Sequence, residues 1–434
     1  MSLRRKITRQ LEEWKRSQAS RALLVTGARQ VGKSYAVNEF ASRSYENYVR
    51  FDLIEQPDLL AAMEGCHNAD ELFMVLSAFG GSRFVSGDTC VFIDEVQECK
   101  ESVTYIKYLV QREGYDFILS GSLLGIELQD VRSQPVGYLR TIEMFPLDFE
   151  EFCWAMDVGD AALSHVKDCF DLLTPVIGPI HERLLSLFHQ YLLVGGMPAA
   201  VNEFARTNNV AEVKRIQSDI VTLYRADISK YAETSKLVIK DVYDQLPAQL
   251  DSQSKRFNFA SLAPKGTYGR YSEEFIWLSD AGVALPVVNV TEPRHPLKMS
   301  EQRSFFKLFA NDVGLLCAMS EVDVAKSILS DELGVNYGSI YENVIAQELK
   351  CHGHKLRFFR SKGIGELDFV IETGSGQVLP IEVKSGKSYK RHSALTKVLS
   401  SPNYRIERAV VLCESNVSPA GKTLYLPVYM AMCL

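Results

Sequence analysis

The chain has 434 residues, of which 46% are hydrophobic and 24% charged, and a formal net charge of −6. That length exceeds one ordinary hydrophobic core and predicts two or three domains of soluble globular composition. A sequence pI of about 5.9 excludes polyanion binding by bulk electrostatics, so contact with nucleic acid requires a local basic surface.

Residues 1–9 are basic and lead into Leu11 and Trp14 at helical spacing, which predicts an amphipathic helix within 4–19 rather than a signal peptide. No apolar run is long enough to cross a bilayer, so no membrane is expected as a partner. Nine cysteines, an odd number without a C-x-x-C pair, point to reduced thiols and a cytoplasmic protein.

Ala22 to Val25 reads as a buried strand that stops at Gly27, and a helical pattern begins near Lys33. Between them runs Gly27-Ala28-Arg29-Gln30-Val31-Gly32-Lys33-Ser34-Tyr35, which carries the full phosphate-binding-loop pattern in a strand–loop–helix setting. Glycine lets the main chain turn sharply and bring its N–H groups to phosphate oxygens, and the helix adds the positive end of its dipole. Lys33 is placed to reach the β- and γ-phosphates and Ser34 to ligate Mg²⁺, so ATP and Mg²⁺ are the expected cofactors.

Residues 48–53 read as a second strand, and Pro57 opens a helical region that Gly80-Gly81 closes. In Thr89-Cys-Val-Phe-Ile-Asp94-Glu95 an apolar strand ends in two acids, the Walker B pattern. Asp94 suits the Mg²⁺ shell, and Glu95 is placed to orient or deprotonate the attacking water. A helix over 101–111 returns to the strand 115–120. There Ser120 or Ser122 can reach the γ-phosphate or the water, or Ser122 can simply cap a helix. This strand–helix alternation specifies a parallel sheet with right-handed crossovers. Residues 138–152 give a strand, a proline stop and a helix starting at Asp148. The helical pattern runs on to about 208, interrupted by Gly195-Gly196-Met197-Pro198, which reads as a fixed hinge or a simple loop.

The motifs Gly-Ala-Arg-Gln-Val-Gly-Lys-Ser, Phe-Ile-Asp-Glu-Val-Gln, Leu-Ser-Gly-Ser, Phe-Pro-Leu-Asp-Phe-Glu-Glu-Phe and Gly-Gly-Met-Pro, in that order, resemble the prokaryotic AAA-type P-loop ATPases of uncharacterised function. The likeness spans almost the whole chain. It implies an α/β P-loop NTPase core over 1–145, a helical lid over 146–208 and a C-terminal extension of unknown function. The chain departs from the pattern in lacking a standard arginine finger. Arg132, Arg140 and Arg225 follow the strand 115–120, while Arg29 is placed to touch phosphate or brace the neighbouring helix. Catalysis between subunits of a homo-oligomer is therefore an open expectation.

Over 209–300, helical segments at 210–231 and 235–250 and an amphipathic stretch at 271–280 precede a hairpin-like stretch at 283–290. Helices followed by strands resemble a winged helix, as that extension implies. Lys255, Arg256, Lys265 and Arg270 are too sparse for a basic recognition helix, and a protein-packing module fits equally well.

The region 301–434 holds a second constellation. A helix carries Glu342, and strands follow at 356–359, at 366–371 with Asp368, and at 378–384 with Glu382 and Lys384. Glu382 and Lys384 are two apart and share a strand face, and Asp368 can face Glu382 across the pair. Carboxylates meeting at one point repel unless a cation joins them, which predicts Mg²⁺ or Mn²⁺ held by Glu342, Asp368 and Glu382 with Lys384 beside it. The ordered set resembles the restriction-endonuclease-like nuclease fold, implying a metal-dependent nuclease-like domain acting on DNA. A salt-bridge ladder, or a degenerate nuclease fold without turnover, explains the same residues. Basic clusters at Lys355, Arg357, Arg360 and Lys362, and at Lys384, Lys387, Lys390 and Arg391, are the candidate phosphate contacts. Cys351-His352-Gly353-His354 reads as a helix end with a glycine stop rather than a zinc site. The overall expectation is an ATP-driven enzyme working on DNA, or alternatively a nucleotide-operated switch whose C-terminal domain binds without cutting.

Overall fold

A computed structural model describes residues 2–17, 21–122, 137–231, 235–252, 255–262, 266–320, 338–386 and 388–434. The chain divides into two compact units, one of Arg5–Phe145 with Asp280–Gly282, the other of Met1–Arg4, Pro146–Ser279 and Val283–Leu434. Arg132, Lys265 and Lys387 lie outside the described residues. Among the described residues no helix is long and apolar enough to cross a membrane.

The first unit is built on a five-stranded parallel sheet of β1 (Ala22–Thr26), β2 (Asn47–Asp52), β3 (Thr89–Asp94), β4 (Tyr115–Ser120) and β5 (Leu139–Glu143), in the order β2-β3-β4-β1-β5. Every adjacent pair runs parallel. Because both faces are covered, β3 is buried at every position, as an apolar parallel strand should be. Each strand ends on a polar residue: Thr26, Asp52, Asp94, Ser120 and Glu143. The carboxyl edge is thus hydrophilic, and in open α/β sheets that edge takes the ligand. The amphipathic N-terminal helix forms over Ile7–Arg16 and buries Ile7, Leu11 and Trp14. The long helical region divides into Pro57–Glu64, opened by its proline, and Ala69–Gly80, whose cap Asn68 accepts from Glu71 N at 2.9 Å.

The second unit begins with helix Phe149–Ala155, entered through a capping box in which Asp148 and Glu151 bond each other's main-chain N–H. Helices Gly178–Val194 and Pro198–Thr207 flank the Gly-Gly turn, which is a pinned junction rather than a loose loop. Gly195 has φ +66°, and a Cβ there would lie 2.2 Å from Asp312 Oδ1; one on Gly196 would lie 2.0 Å from Leu147 O. Gly196 N donates to Asp312 Oδ2 at 2.6 Å, and Leu147 N donates to Gly196 O at 2.7 Å.

Two sheets complete this unit. One, in the order β7-β6-β8-β9, contains β6 (Ala284–Val290), β7 (Glu301–Ala310), β8 (Arg357–Ser361) and β9 (Gly365–Leu367). The other, in the order β10-β11-β12-β14-β13, contains β10 (Phe369–Glu372), β11 (Val378–Val383), β12 (Ala409–Cys413), β13 (Ser418–Ala420) and β14 (Thr423–Pro427). Two differences from the sequence reading matter. Residues 283–290 form one hairpin arm, not a hairpin; the second arm is β7, and β6 also pairs in parallel with β8. The strand expected over 366–371 breaks at Asp368, with β9 joining one sheet and β10 the other. Alternation of apolar residues is the same on both sides of such a switch, so the break leaves no mark in the pattern. Helix Gly338–Cys351 ends as the glycine stop predicts, with Gly353 at φ +86° and His354 N donating to Leu349 O at 2.9 Å.

Candidate nucleotide site and a second carboxylate site

The loop after β1 takes a shape that ordinary residues resist. Gly27 has φ +139°, and a Cβ there would lie 2.1 Å from Met144 O. Gln30 has φ +66° and Gly32 φ +94°, after which helix Lys33–Ser44 begins with its first N–H groups facing out of the helix. Within the loop Ala28 and Val31 are buried, and Tyr35 at the start of the helix is exposed. Lys33 is buried and curls back, its Nζ donating to Gly27 O and Ala28 O at 2.9 Å each. Burial pushes its pKa down to about 8 against the opposing pull of Glu95 and Asp94.

Asp94 lies buried at the end of β3. Its Oδ1 accepts from Ser34 Oγ at 3.0 Å and from Ser120 Oγ. Its Oδ2 accepts from Arg50 Nη2 at 2.8 Å, and the same nitrogen donates to Asp52 Oδ2 at 2.6 Å. Glu95 follows at φ +57° and accepts from Gln97 Nε2. The Ser34 and Asp94 oxygens fit Mg²⁺, since adjacent octahedral ligands at about 2.1 Å lie about 3.0 Å apart. Ser120, expected at the γ-phosphate or the attacking water, instead bonds the Asp94 carboxylate. Arg50, Asp52 and Gln97 were not legible as site residues. The only signal for Arg50 is its alternation with Asp52 along β2, which acquires meaning once Asp52 pairs with Asp94 across the sheet. Of the arginines weighed as fingers, Arg140 is exposed on β5, and Arg225 is ion-paired with Asp244 at 2.6 Å.

In the second unit, Phe369 of β10 opposes Ile381 of β11, which brings the preceding Asp368 beside Glu382. Asp368 Oδ2 accepts from Val383 N at 2.8 Å, and Lys384 Nζ stands 3.0 Å from Glu382 Oε2. Burial and the neighbouring Asp368 hold the Glu382 carboxyl well above the usual carboxylate range. Burial opposes the Lys384 charge, but Glu382 and Asp368 prevail and raise its pKa. Glu342 does not complete a metal shell as expected. Lys255 Nζ takes its Oε1 at 2.5 Å, and the fully buried Lys307 stands 3.3 Å from its Oε2 and 2.8 Å from Glu366. Among the described residues no three His, Cys, Asp or Glu side chains form a group able to hold a metal ion. What fits a divalent cation is the pair Asp368 and Glu382, whose mutual repulsion a cation would relieve. Arg357, counted among the basic candidates, is buried and paired with Glu301 at 2.8 Å, so it is no phosphate contact.

Residues 19–153 match the profile of a family described as an AAA domain. Residues 185–326 and 337–429 match two families described only as domains of unknown function, DUF8612 and DUF4143. No curated protein matches the chain. Among solved structures, a Walker-type ATPase of Pyrococcus abyssi is similar at 16% identity and TM-score 0.44, over 73% of this chain and 96% of that one. The Orc1 protein of Aeropyrum pernix in complex with DNA is similar at 12% identity and TM-score 0.29, over 76% and 95%. The RuvB Holliday junction branch migration motor of Thermotoga maritima is similar at 12% identity and TM-score 0.30, over 76% and 96%. The parallel sheet, the glycine-built loop and the match to the AAA profile agree in giving residues 19–153 an α/β P-loop NTPase fold.

Proposed function

We propose that the chain is a Mg²⁺-dependent ATPase of the cytoplasm that acts on DNA, with a nuclease-like site in its second unit. The observation that carries the motor reading is the 3.0 Å approach of Ser34 Oγ to Asp94 Oδ1 beside the Lys33 ammonium. Loop residues 27–35 cradle the phosphates with main-chain N–H groups. Lys33 exchanges the carbonyls of Gly27 and Ala28 for β- and γ-phosphate oxygens, and Glu95 orients the attacking water. Ser34 and Asp94 would hold Mg²⁺, which supplies neutralisation of the charge developing on the transferred phosphoryl group. A homo-oligomer is part of this reading, with no arginine assigned to act between its subunits. The test is ATP hydrolysis by the full chain with Mg²⁺. Lys33→Ala and Asp94→Asn should each abolish turnover while the fold persists, and normal hydrolysis by Lys33→Ala overturns the assignment.

The DNA reading rests on Asp368, Glu382 and Lys384, where a cation between the carboxylates would meet a lysine able to steady charge on a phosphate. The helices ahead of β6 and β7 support a winged-helix-like middle region within the same unit. A second reading, a nucleotide-operated switch that binds without cutting, is favoured by the capture of Glu342 by Lys255 and Lys307. Incubation with single-stranded, duplex and branched DNA, ATP and Mg²⁺ or Mn²⁺ separates them. Cleavage lost in Asp368→Ala and Lys384→Ala supports the nuclease, and no cleavage of any substrate supports the switch.

A further inference from the structure

At the turn end of the β10–β11 hairpin, away from Glu382, the second unit opens into a cavity of about 1090 Å³. Its wall brings together Arg294, Arg405 and Arg408 with His295, and Glu407 is the one carboxylate among the lining residues. Arg405 and Arg408 are exposed, and neither has a hydrogen bond or ion pair with any described residue. Arg294 has only the exposed Glu292 at 3.2 Å, a contact of little energetic weight. Glu407 accepts from Gln377 Nε2 at 2.7 Å and keeps its charge, while Glu372 meets His295 Nδ1 at 2.8 Å. Three guanidinium groups around one concavity outnumber its lining carboxylate Glu407 and the rim partner Glu292, so the field there stays net positive.

The lining is not all polar: it includes Leu379 and Tyr404, and the half-buried Tyr404 ring is braced edge-on against Phe359 with centroids 6.0 Å apart. Arg405 holds φ +50°, a left-handed conformation that non-glycine residues resist, and it is exposed on the cavity lining. Guanidinium forks match phosphate oxygens two at a time, and an aromatic ring gives a stacking face to a base. The volume lies at the upper end of ordinary ligand pockets, roomy enough for more than one nucleotide unit.

We propose that this cavity is a binding site for the phosphates of a nucleotide ligand, drawn from a single nucleic-acid strand or from a free nucleotide. It lies about 10 Å along β11 from Glu382, so it is separate from the carboxylate pair. It borrows nothing from the ATPase reading, and with the DNA reading it shares only the phosphates of the ligand. Arg294 lies far in sequence from Arg405 and Arg408, and none of the three belongs to either basic cluster of the sequence.

The test uses the full chain carrying Lys33→Ala, so that the phosphate loop does not compete for the probes. Fluorescence anisotropy follows a labelled short single-stranded oligonucleotide and a labelled mononucleotide between about 50 and 200 mM salt. Binding of at least one probe is expected, weakened about tenfold or more by Arg405→Glu with Arg408→Glu. The salt slope for the strand should fall by about 1.4, two phosphate contacts' worth. Arg405→Lys with Arg408→Lys should keep the salt slope and lose only the part of the affinity that the guanidinium forks supply. Arg408→Gln alone, which leaves the turn intact, should cost about 0.7 of slope and decides the matter if the glutamates disturb folding. Binding of the strand alone assigns a nucleic-acid source, and binding of both probes assigns a nucleotide source. Binding of neither, or unchanged affinity and slope in the variants, overturns the proposal. With Lys33 intact, ATP hydrolysis by the charge-reversed protein should match that of the unmodified chain, so a failure here is distinguishable from failure of the motor reading.

Discussion

Arg50 Nη2 lies 2.8 Å from Asp94 Oδ2, so the carboxylate that suits a metal ion already carries a protein cation. The guanidinium bridges Asp94 and Asp52 and offsets part of their repulsion, which lets two acids end neighbouring strands side by side. Removing it leaves the buried Asp94 underpaired, which should cost about 1–3 kcal/mol, less than for a fully buried pair because the Arg50 side chain is 34% exposed. Arg50→Ala should therefore be destabilised in chelator, regain most of that loss in Mg²⁺, and need several-fold less Mg²⁺ for half-maximal ATP hydrolysis. Denaturant unfolding with and without Mg²⁺ measures the first two, and a loss indifferent to Mg²⁺ would show that Arg50 is merely structural.

Lys33 offers a pH test. With its pKa lowered to about 8 by burial, its charge fades as pH rises through 8 in the nucleotide-free protein. Phosphate oxygens bind the charged form, so nucleotide binding takes up a proton above that pH. Affinity should hold between pH 6 and 7 and fall about tenfold by pH 9. Titration of a fluorescent ATP analogue across that range checks it, and flat affinity to pH 9 contradicts the burial of Lys33. Lys33→Ala should lower turnover by about a hundredfold or more at any pH.

The nucleotide loop was readable because its chemistry is contiguous: strand, turn glycines, lysine and serine follow one another. Asp94 was readable because an apolar run ending in acid has one sensible place in a parallel sheet. Arg50 was not, since its meaning depends on β2 lying beside β3. Lys307 was not, since a lysine inside an apolar strand looks like an outward-facing residue until Glu342 and Glu366 close around it. The Asp368–Glu382 approach was readable from spacing, but not the sheet switch at Asp368 that produces it. Long-range pairing, not local preference, decided each missed case.

Two glycines should prove irreplaceable for separate reasons. A Cβ on Gly27 would meet Met144 O at 2.1 Å at a φ of +139°, so Gly27→Ala must deform the phosphate loop and should weaken nucleotide binding at least tenfold. A Cβ on Gly196 would meet Leu147 O at 2.0 Å, and neither main chain can give way cheaply. Gly196→Ala should lose about 2–4 kcal/mol in denaturant unfolding, and a midpoint equal to that of the unmodified chain would mean that the turn is looser than described.

Asp312 makes the last prediction. It is fully buried, caps helix Val313–Met319 by accepting from Leu315 N at 2.9 Å, and also accepts from Gly196 N. Burial outweighs these main-chain donors and raises its pKa to about 6. A raised carboxyl pKa means that the folded state holds its proton more tightly than the unfolded chain. The stability it contributes is complete below the unfolded value near 4 and is lost as pH rises through 6. Stability should therefore increase by about 1–2 kcal/mol on this account between pH 7 and pH 5, opposite in sign to an ordinary ion-paired aspartate. Asp312→Asn keeps one acceptor for the helix cap, removes the titration, and should flatten that part of the profile. Denaturant midpoints of both proteins across the window measure the difference, and parallel profiles would show that Asp312 does not ionise there.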